Sequence, residues 1–353
     1  MIKFLYQKGL KPILFKFHPD VVHEVFVDLG ERMQTNFFFK KFLQGVYGAP
    51  LGTKTITVDG VEYSGPVLLA AGFDYNGRLG PALWNIGFAG EEVGSVTARK
   101  CAGNPPPNTT RLIQSKSIQV FKGLKNDGVD SVIERLKSLN TPKNFVTGVS
   151  IARTNDQQSS DVNEGIEDYF YSFKRLNEEE VGDYYTINIS CPNAFGGEDF
   201  ARPELLEKLL MRLKEIECKR PVYIKMPINK PWSEFKLLLD VIHGLGFQGV
   251  VIGNLNKNYE EVDFKEELPP GEFRGGLSGR PCQKRSNELI RKTKEYCPDL
   301  TIIGCGGVLE VKDAMEKMQL GASLVQLISG MIFNGPHLIG EINKSFYEDN
   351  RHK

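Results

Sequence analysis

The segment Asn188-Ile-Ser-Cys-Pro-Asn193 places two carboxamides and one thiol within six residues. A carboxamide both donates and accepts, so two of them can grip a ring that alternates carbonyl and N–H groups. A thiol can accept a proton or act as a nucleophile when its pKa is matched to the task. It can equally be an inert filler in a strand-end turn, since free cysteine is often buried. Lys225 sits near the end of the apolar run Val222-Tyr-Ile-Lys-Met226. An ammonium there must reach an open mouth or find a partner, because burying it uncompensated is expensive. It could stand beside an electron-rich ring edge, serve as a Schiff-base amine, or form a structural ion pair. Gly275-Gly-Leu-Ser-Gly279 and Gly304-Cys-Gly-Gly307 are glycine-rich turns whose bare N–H groups could cradle a phosphate.

The elements that must position these residues form a repeat. Apolar strand patterns lie at 67–71, 91–97, 145–151, 184–189, 222–225, 249–253, 301–305 and 323–328. Helical patterns lie at 77–86, 129–139, 162–176, 203–216, 232–245, 283–296, 311–318 and 338–346. Strands as apolar as Gly249-Val-Val-Ile252 suit a parallel sheet covered on both faces. Eight strand–helix repeats predict an α/β fold of the (β/α)₈ TIM-barrel type rather than an open sheet. No G-x-G-x-x-G follows the first strand, so a dinucleotide fingerprint is missing. Asp59-Gly60 between Thr55–Val58 and Val61–Tyr63 predicts a hairpin ahead of the barrel. Barrel chemistry gathers at the carboxyl ends of the strands. That rule selects Ala71-Gly72, Ser95, Ser150, 188–193, Lys225, Asn254, Gly306-Gly307 and Ser329-Gly330.

Residues 1–46 form a separate N-terminal helical extension in this reading, and 47–353 the barrel. Apolar residues recur there at helical spacing, interrupted by Lys3, Lys8, Lys11, Lys16, Lys40 and Lys41. Two placements fit: a helical cap on the barrel, or amphipathic helices lying in a membrane interface with lysines at the head groups. The segment lacks the small-residue cleavage site of a signal peptide, and no apolar run reaches the ~20 residues that span a bilayer. Charges balance at 44 basic against 44 acidic residues, which argues against a nucleic-acid partner. The six cysteines include no C-x-x-C pair. That spacing predicts no metal site and points to reduced thiols in a protein that is cytoplasmic, either free or peripheral on the membrane.

Seven motifs in family order resemble the dihydroorotate dehydrogenases and cover about residues 50 to 345. They are Ala70-Ala-Gly-Phe-Asp74, Glu92-Val-Gly-Ser-Val-Thr97, Gly103-Asn-Pro105, the 188–193 segment, Gly275-Gly-Leu-Ser-Gly-Arg-Pro281, Ile303-Gly-Cys-Gly-Gly307 and Gly321-Ala-Ser-Leu-Val-Gln326. His18-Pro-Asp-Val-Val-His23 resembles the entry segment of the membrane-associated, quinone-using class. The resemblance implies an FMN oxidoreductase of pyrimidine biosynthesis. A base takes a proton from C5 of dihydroorotate while hydride leaves C6 for flavin N5. The base position falls on Cys191, and the substrate-amide contacts fall on Asn188, Asn193 and Asn254. Ala71, Gly72, Ser95, Ser150, Asn188 and Lys225 would line the flavin, with Gly279, Gly307, Ile328 and Ser329 around its phosphate and ribityl chain. His23 would line the quinone tunnel.

The sequence departs from that pattern at several positions. The quinone class carries serine as base, whereas Cys191 is the choice of the soluble classes. The two family lysines on the substrate side are replaced by Tyr75 and Gly94, and the asparagine-bearing loop reads Val120-Phe-Lys-Gly-Leu-Lys-Asn126. Lys122 or Lys125 is expected to replace the missing cation, with Asn126 also on the substrate side. The alternatives are a paralogue acting on another cyclic amide or enone, a lyase using Lys225 as a Schiff base, and a barrel that binds without catalysis.

Overall fold

A computed structural model of the chain describes residues 2–47, 55–190, 199–266 and 275–349. The strands are β1 Ile56–Val58, β2 Val61–Tyr63, β3 Val67–Leu69, β4 Gly90–Val96, β5 Thr109–Leu112, β6 Ser117–Val120, β7 Val146–Ile151, β8 Tyr184–Asn188, β9 Val222–Met226, β10 Gly249–Ile252, β11 Gly276–Leu277, β12 Thr301–Cys305 and β13 Leu324–Leu327. β3, β4, β7, β8, β9, β10, β12 and β13 close into one parallel barrel, and each overlaps one of the strand patterns read from the sequence. The fold is therefore a (β/α)₈ barrel with an N-terminal helical extension.

The chain begins with short turns α1 Ile2–Phe4, a π-helical stretch Leu5–Leu10 and α2 Lys11–Leu14, followed by α3 Pro19–Met33 and α4 Phe37–Tyr47. Around the barrel run α5 Gly80–Asn85, α6 Val129–Ser138, α7 Val162–Glu178, α8 Pro203–Leu213, α9 Trp232–Gly244, α10 Arg280–Tyr296 and α11 Val311–Gln319, then α12 Ser329–Asn334 and α13 His337–Asp349. The helices bury apolar stripes such as Leu205, Leu206, Leu209, Leu210 and Leu213 of α8 against the outer faces of the strands.

β1 and β2 form the expected hairpin. Asp59 and Gly60 take positive φ values of 48° and 81°, as a two-residue turn matching strand twist requires. The hairpin plugs the amino end of the barrel. Tyr63 joins Tyr184 and Tyr223 in a dry floor, and Asp59 accepts from the Tyr223 hydroxyl at 2.7 Å. With this end filled, both cavities of the barrel lie toward the carboxyl ends of the strands.

The antiparallel sheet β5–β6–β11 has no counterpart among the sequence expectations. β6 alternates polar and apolar residues while β5 reads Thr-Thr-Arg-Leu, and the two are joined by a turn with Lys116 at φ 47°. This hairpin carries Thr109, Arg111, Ile118 and Val120 to the barrel mouth.

Candidate active site

Two adjoining cavities occupy the carboxyl ends of the strands. The larger, of about 310 Å³, extends from Lys225, Asn188 and Asn254 out to Tyr6, His23 and Phe26 of the N-terminal helices. The smaller, of about 80 Å³, lies between Gly279, Gly306, Gly307 and Ser329. Lys225, Asn254, Ala71, Ile328 and Ser329 border both.

The register pairs Asn188 of β8 with Lys225 of β9, so the carboxamide and the ammonium arrive side by side. Asn188 donates from Nδ2 to Ser95 Oγ at 2.8 Å, and Ser95 Oγ lies 2.7 Å from Ser150 Oγ. Ser150 is fully buried and stands behind Ser95. Ser190, within the selected 188–193 segment but given no role there, pins the start of the thiol-bearing segment. Its N–H donates to Asn188 Oδ1 at 3.2 Å and its hydroxyl to the Lys225 carbonyl at 2.9 Å. Asn254 Nδ2 donates to the Ser190 carbonyl at 2.9 Å. The two carboxamides are thus oriented by one serine. Cys191 and Asn193 lie outside the described residues.

Beneath this layer, Glu92 of β4 is fully buried, with its Oε1 3.3 Å from the Lys225 ammonium. Its Oε2 accepts from Thr186 at 2.9 Å and Gln326 at 2.8 Å. Two adjacent acids in an otherwise apolar strand were the available signal, because a charge there must be paired. Of the readings open for Lys225, the ion pair is the one observed; a Schiff-base role would require the amine to leave it.

The expected phosphate turns are tight. A Cβ at Gly307, where φ is 78°, would lie 2.4 Å from Gln283 Cβ, and one at Gly279 would lie 2.2 Å from the Lys116 carbonyl oxygen. Gly72 differs: its nearest neighbour would be Ile328 Cδ1 at 3.9 Å, so its face is open to the cavity. Gln326 Oε1, buried at the border of the smaller cavity, meets no donor among the described residues.

At the outer end, His23 of α3 reaches the Phe73 carbonyl at 2.7 Å and packs on Phe73 and Tyr75 at centroid distances of 4.9 and 5.2 Å. Burial lowers the imidazole pKa despite the Phe73 carbonyl, so the ring is neutral near pH 7. Burial also raises the Tyr75 phenol, which brings no charge to the wall. Arg111, which the sequence reading passed over, donates to the Phe17 carbonyl at 2.7 Å and lies over the Phe15 ring.

Lys122 lines the larger cavity and is ion-paired with Asp20 of α3. Burial alone would raise the Asp20 carboxyl, but Lys122 and Thr109 outweigh it and hold the pKa low. Lys125 pairs with Glu24 at 3.2 Å, and Arg78 with Asp28 at 2.7 Å and with Glu31. Acids at 20, 24, 28 and 31 follow helical spacing and form an acidic flank of α3, beside Val27, which is buried, and Val22, His23 and Phe26, which line the cavity. Val21, Val25 and Leu29, on the opposite side of α3, are exposed. The N-terminal helical extension is present and packs α3 on the barrel through Val27, while part of its apolar surface is exposed. Phe37, Phe38 and Phe42 of α4 are likewise exposed. Among the described residues no helix is long and apolar enough to cross a membrane.

Asn126 is buried, and its carboxamide bonds Thr97, Leu124 and Gly128. It fixes the base of the 120–126 loop. Asp74 does the same for the next loop, accepting from the N–H groups of Asn76, Arg78 and Leu79 at 3.2, 2.6 and 2.7 Å. Glu91 lies beside it, fully buried, with neither oxygen meeting a donor among the described residues. Burial, reinforced by the nearby Asp74, pushes its pKa well above the ordinary value. The folded state then keeps a proton that the unfolded chain releases above pH ~4.3. Stability falls as pH rises from there toward the folded pKa. We expect Glu91→Gln to raise the melting temperature, by a margin that widens between pH 5 and pH 8 in thermal scans.

A family model described as "Dihydroorotate dehydrogenase" matches residues 54–348. A Legionella pneumophila (strain Corby) protein named dihydroorotate dehydrogenase (quinone) is 31% identical over 342 residues, covering 94% of this chain and 97% of that protein. One of the same name from Christiangramia forsetii is 32% identical over 351 residues, 98% and 99% of the two chains. A crystal structure of DHODH from Eimeria tenella in complex with ferulenol superposes with a TM-score of 0.78 at 22% identity, covering 95% of this chain and 92% of that one, and so shares the fold. The match across the barrel, together with relatives aligned through the N-terminal helices, shows that the chain belongs to the dihydroorotate dehydrogenase family of CH–CH oxidoreductases, in its quinone class.

Proposed function

We propose that the protein oxidises dihydroorotate to orotate in pyrimidine biosynthesis, with FMN as its cofactor and a quinone as electron acceptor. The observation that carries the reading is the continuous cavity joining Asn188, Asn254 and Lys225 to His23 under the N-terminal helices. One chamber thus serves a substrate end and an acceptor end.

The residues present fit FMN. Gly279 and Gly307 line a cradle that a Cβ at either position would disrupt, Gly72 leaves an open face, and Gln326 Oε1 awaits a donor. Gly279, Gly307, Ile328 and Ser329 would hold the phosphate and ribityl chain; Ala71, Gly72, Ser95, Asn188 and Lys225 would hold the ring, with Ser150 supporting Ser95. When bound, FMN accepts the hydride from C6 of the substrate and passes two electrons on to quinone.

Cys191 takes the C5 proton. Its thiol, with an unperturbed pKa of ~8.5, is a better base near neutrality than an alcohol. Asn188, Asn193 and Asn254 grip the substrate amides through paired donors and acceptors. Lys122, ion-paired with Asp20 of α3, would have to share its charge with the substrate carboxylate to supply the cation, and Asn126 keeps its loop in shape. His23, neutral and facing Tyr75, lines the quinone path. Residues 1–46 act as the acceptor-side unit and 47–353 as the flavin barrel. The exposed phenylalanines of α4, flanked by Lys40 and Lys41, suit peripheral contact with a membrane where quinone dissolves.

A second reading is favoured by Tyr75 and Val120, which bring no cation or carboxamide to the cavity wall: a paralogue acting on a cyclic amide or enone without a carboxylate. Turnover assays on the purified protein separate the two. Dihydroorotate oxidation that depends on quinone and not on fumarate is expected; no turnover with either acceptor would remove the substrate assignment.

A further inference from the structure

The polar layer under the cavity holds a buried charge pair where an apolar layer would serve packing as well. Replacing buried ion pairs by well-packed apolar groups is often neutral or stabilising. The Glu92 carboxylate is fully buried, tied to Thr186 and Gln326, and lies 3.3 Å from the Lys225 ammonium. Only Lys225 of these borders both cavities; Glu92 borders neither. The acid is therefore a support whose charge reaches the site through the lysine. Below it, the Tyr63, Tyr184 and Tyr223 floor excludes water, so little solvent screens the pair.

We propose that Glu92 is a positioning residue that aims Lys225 at the flavin ring and, by offsetting the lysine's charge, sets the flavin's reduction potential. The proposal rests on the FMN reading above. Reduction places negative charge on the ring, and a cation beside it favours the reduced form. The Glu92 carboxylate weakens that preference, and Thr186 and Gln326 moderate the carboxylate in turn by donating to it.

The test measures FMN affinity by fluorescence and midpoint potential by dye-coupled titration, at pH 6.5, in the wild-type protein and two variants. Glu92→Gln removes the negative charge and should raise the potential by about 30 mV or more, which is a tenfold change in the ratio of affinities for reduced and oxidised flavin. Thr186→Val leaves the carboxylate less neutralised and should lower the potential. Opposite signs in the two variants support an electrostatic role that general loosening of the barrel would not produce. If Glu92→Gln does not fold, a lowered potential in Thr186→Val still supports the proposal, and an unchanged one overturns it. FMN-bound Glu92→Gln with an unchanged potential overturns the proposal and leaves the cofactor assignment intact. A wild-type protein that binds no FMN overturns both.

Discussion

Replacing Cys191 by alanine should lower dihydroorotate turnover by ~10²–10⁴-fold, the usual contribution of a positioned general base, while FMN remains bound. The expectation rests on how the chain reaches residue 191. Ser190 is held by the Asn188 carboxamide, by the Lys225 carbonyl and by Asn254, all at the cavity wall. General-base catalysis gains most where the base is positioned in advance, and the residue next to it in the chain is so held. Cys191→Ser should retain more activity than alanine, with its remaining rate displaced to higher pH, because the alcohol is the weaker acid. Stopped-flow reduction of bound flavin isolates the chemical step. An alanine variant that reduces flavin at the wild-type rate would strip Cys191 of its role.

Lys225→Met should destabilise the fold by ~3–5 kcal/mol, because it leaves the Glu92 carboxylate buried without its counter-ion. The two side chains are 5% and 0% exposed, so water cannot take the lysine's place. The double variant Lys225→Met, Glu92→Gln should recover much of this loss. Urea titrations of the four proteins form a cycle, and residues in such contact couple by ~0.5–3 kcal/mol. Additive losses would mean that the pair does not interact as its geometry implies. Both methionine variants should also retain FMN poorly.

The barrel was legible because its strands are apolar on both faces, as in Gly249-Val-Val-Ile252, and because glycine and asparagine recur at the strand ends that chemistry requires. Asp59-Gly60 announced its hairpin for an equally local reason. What escaped depends on partners distant in sequence. The α3 pattern left a barrel cap and a membrane-lying helix both open, because what pairs with its acidic flank, Lys122, Lys125 and Arg78, is distant in sequence. Ser190 is ordinary in sequence and matters because β9 and the chain after β10 arrive beside it. Glu92 and Glu91 are neighbours of one residue type, and strand alternation sends them to opposite environments: Glu92 to a lysine inside the barrel, Glu91 to Asp74 outside it. Arg111 needed the β5–β6 hairpin, whose four-residue strands give little signal and of which only β6 alternates. Cys191 and Asn193 were singled out by motif, and the Cys191 variants above test the first of them.

The central claim is that the barrel mouth carries an FMN which dihydroorotate reduces. Anaerobic spectrophotometry of the purified protein tests it in one cuvette. The account predicts oxidised-flavin absorbance that bleaches on adding dihydroorotate and returns on adding a quinone. A flavin spectrum that dihydroorotate leaves unchanged would contradict the substrate assignment, and a colourless protein that takes up no FMN would contradict the account at its root.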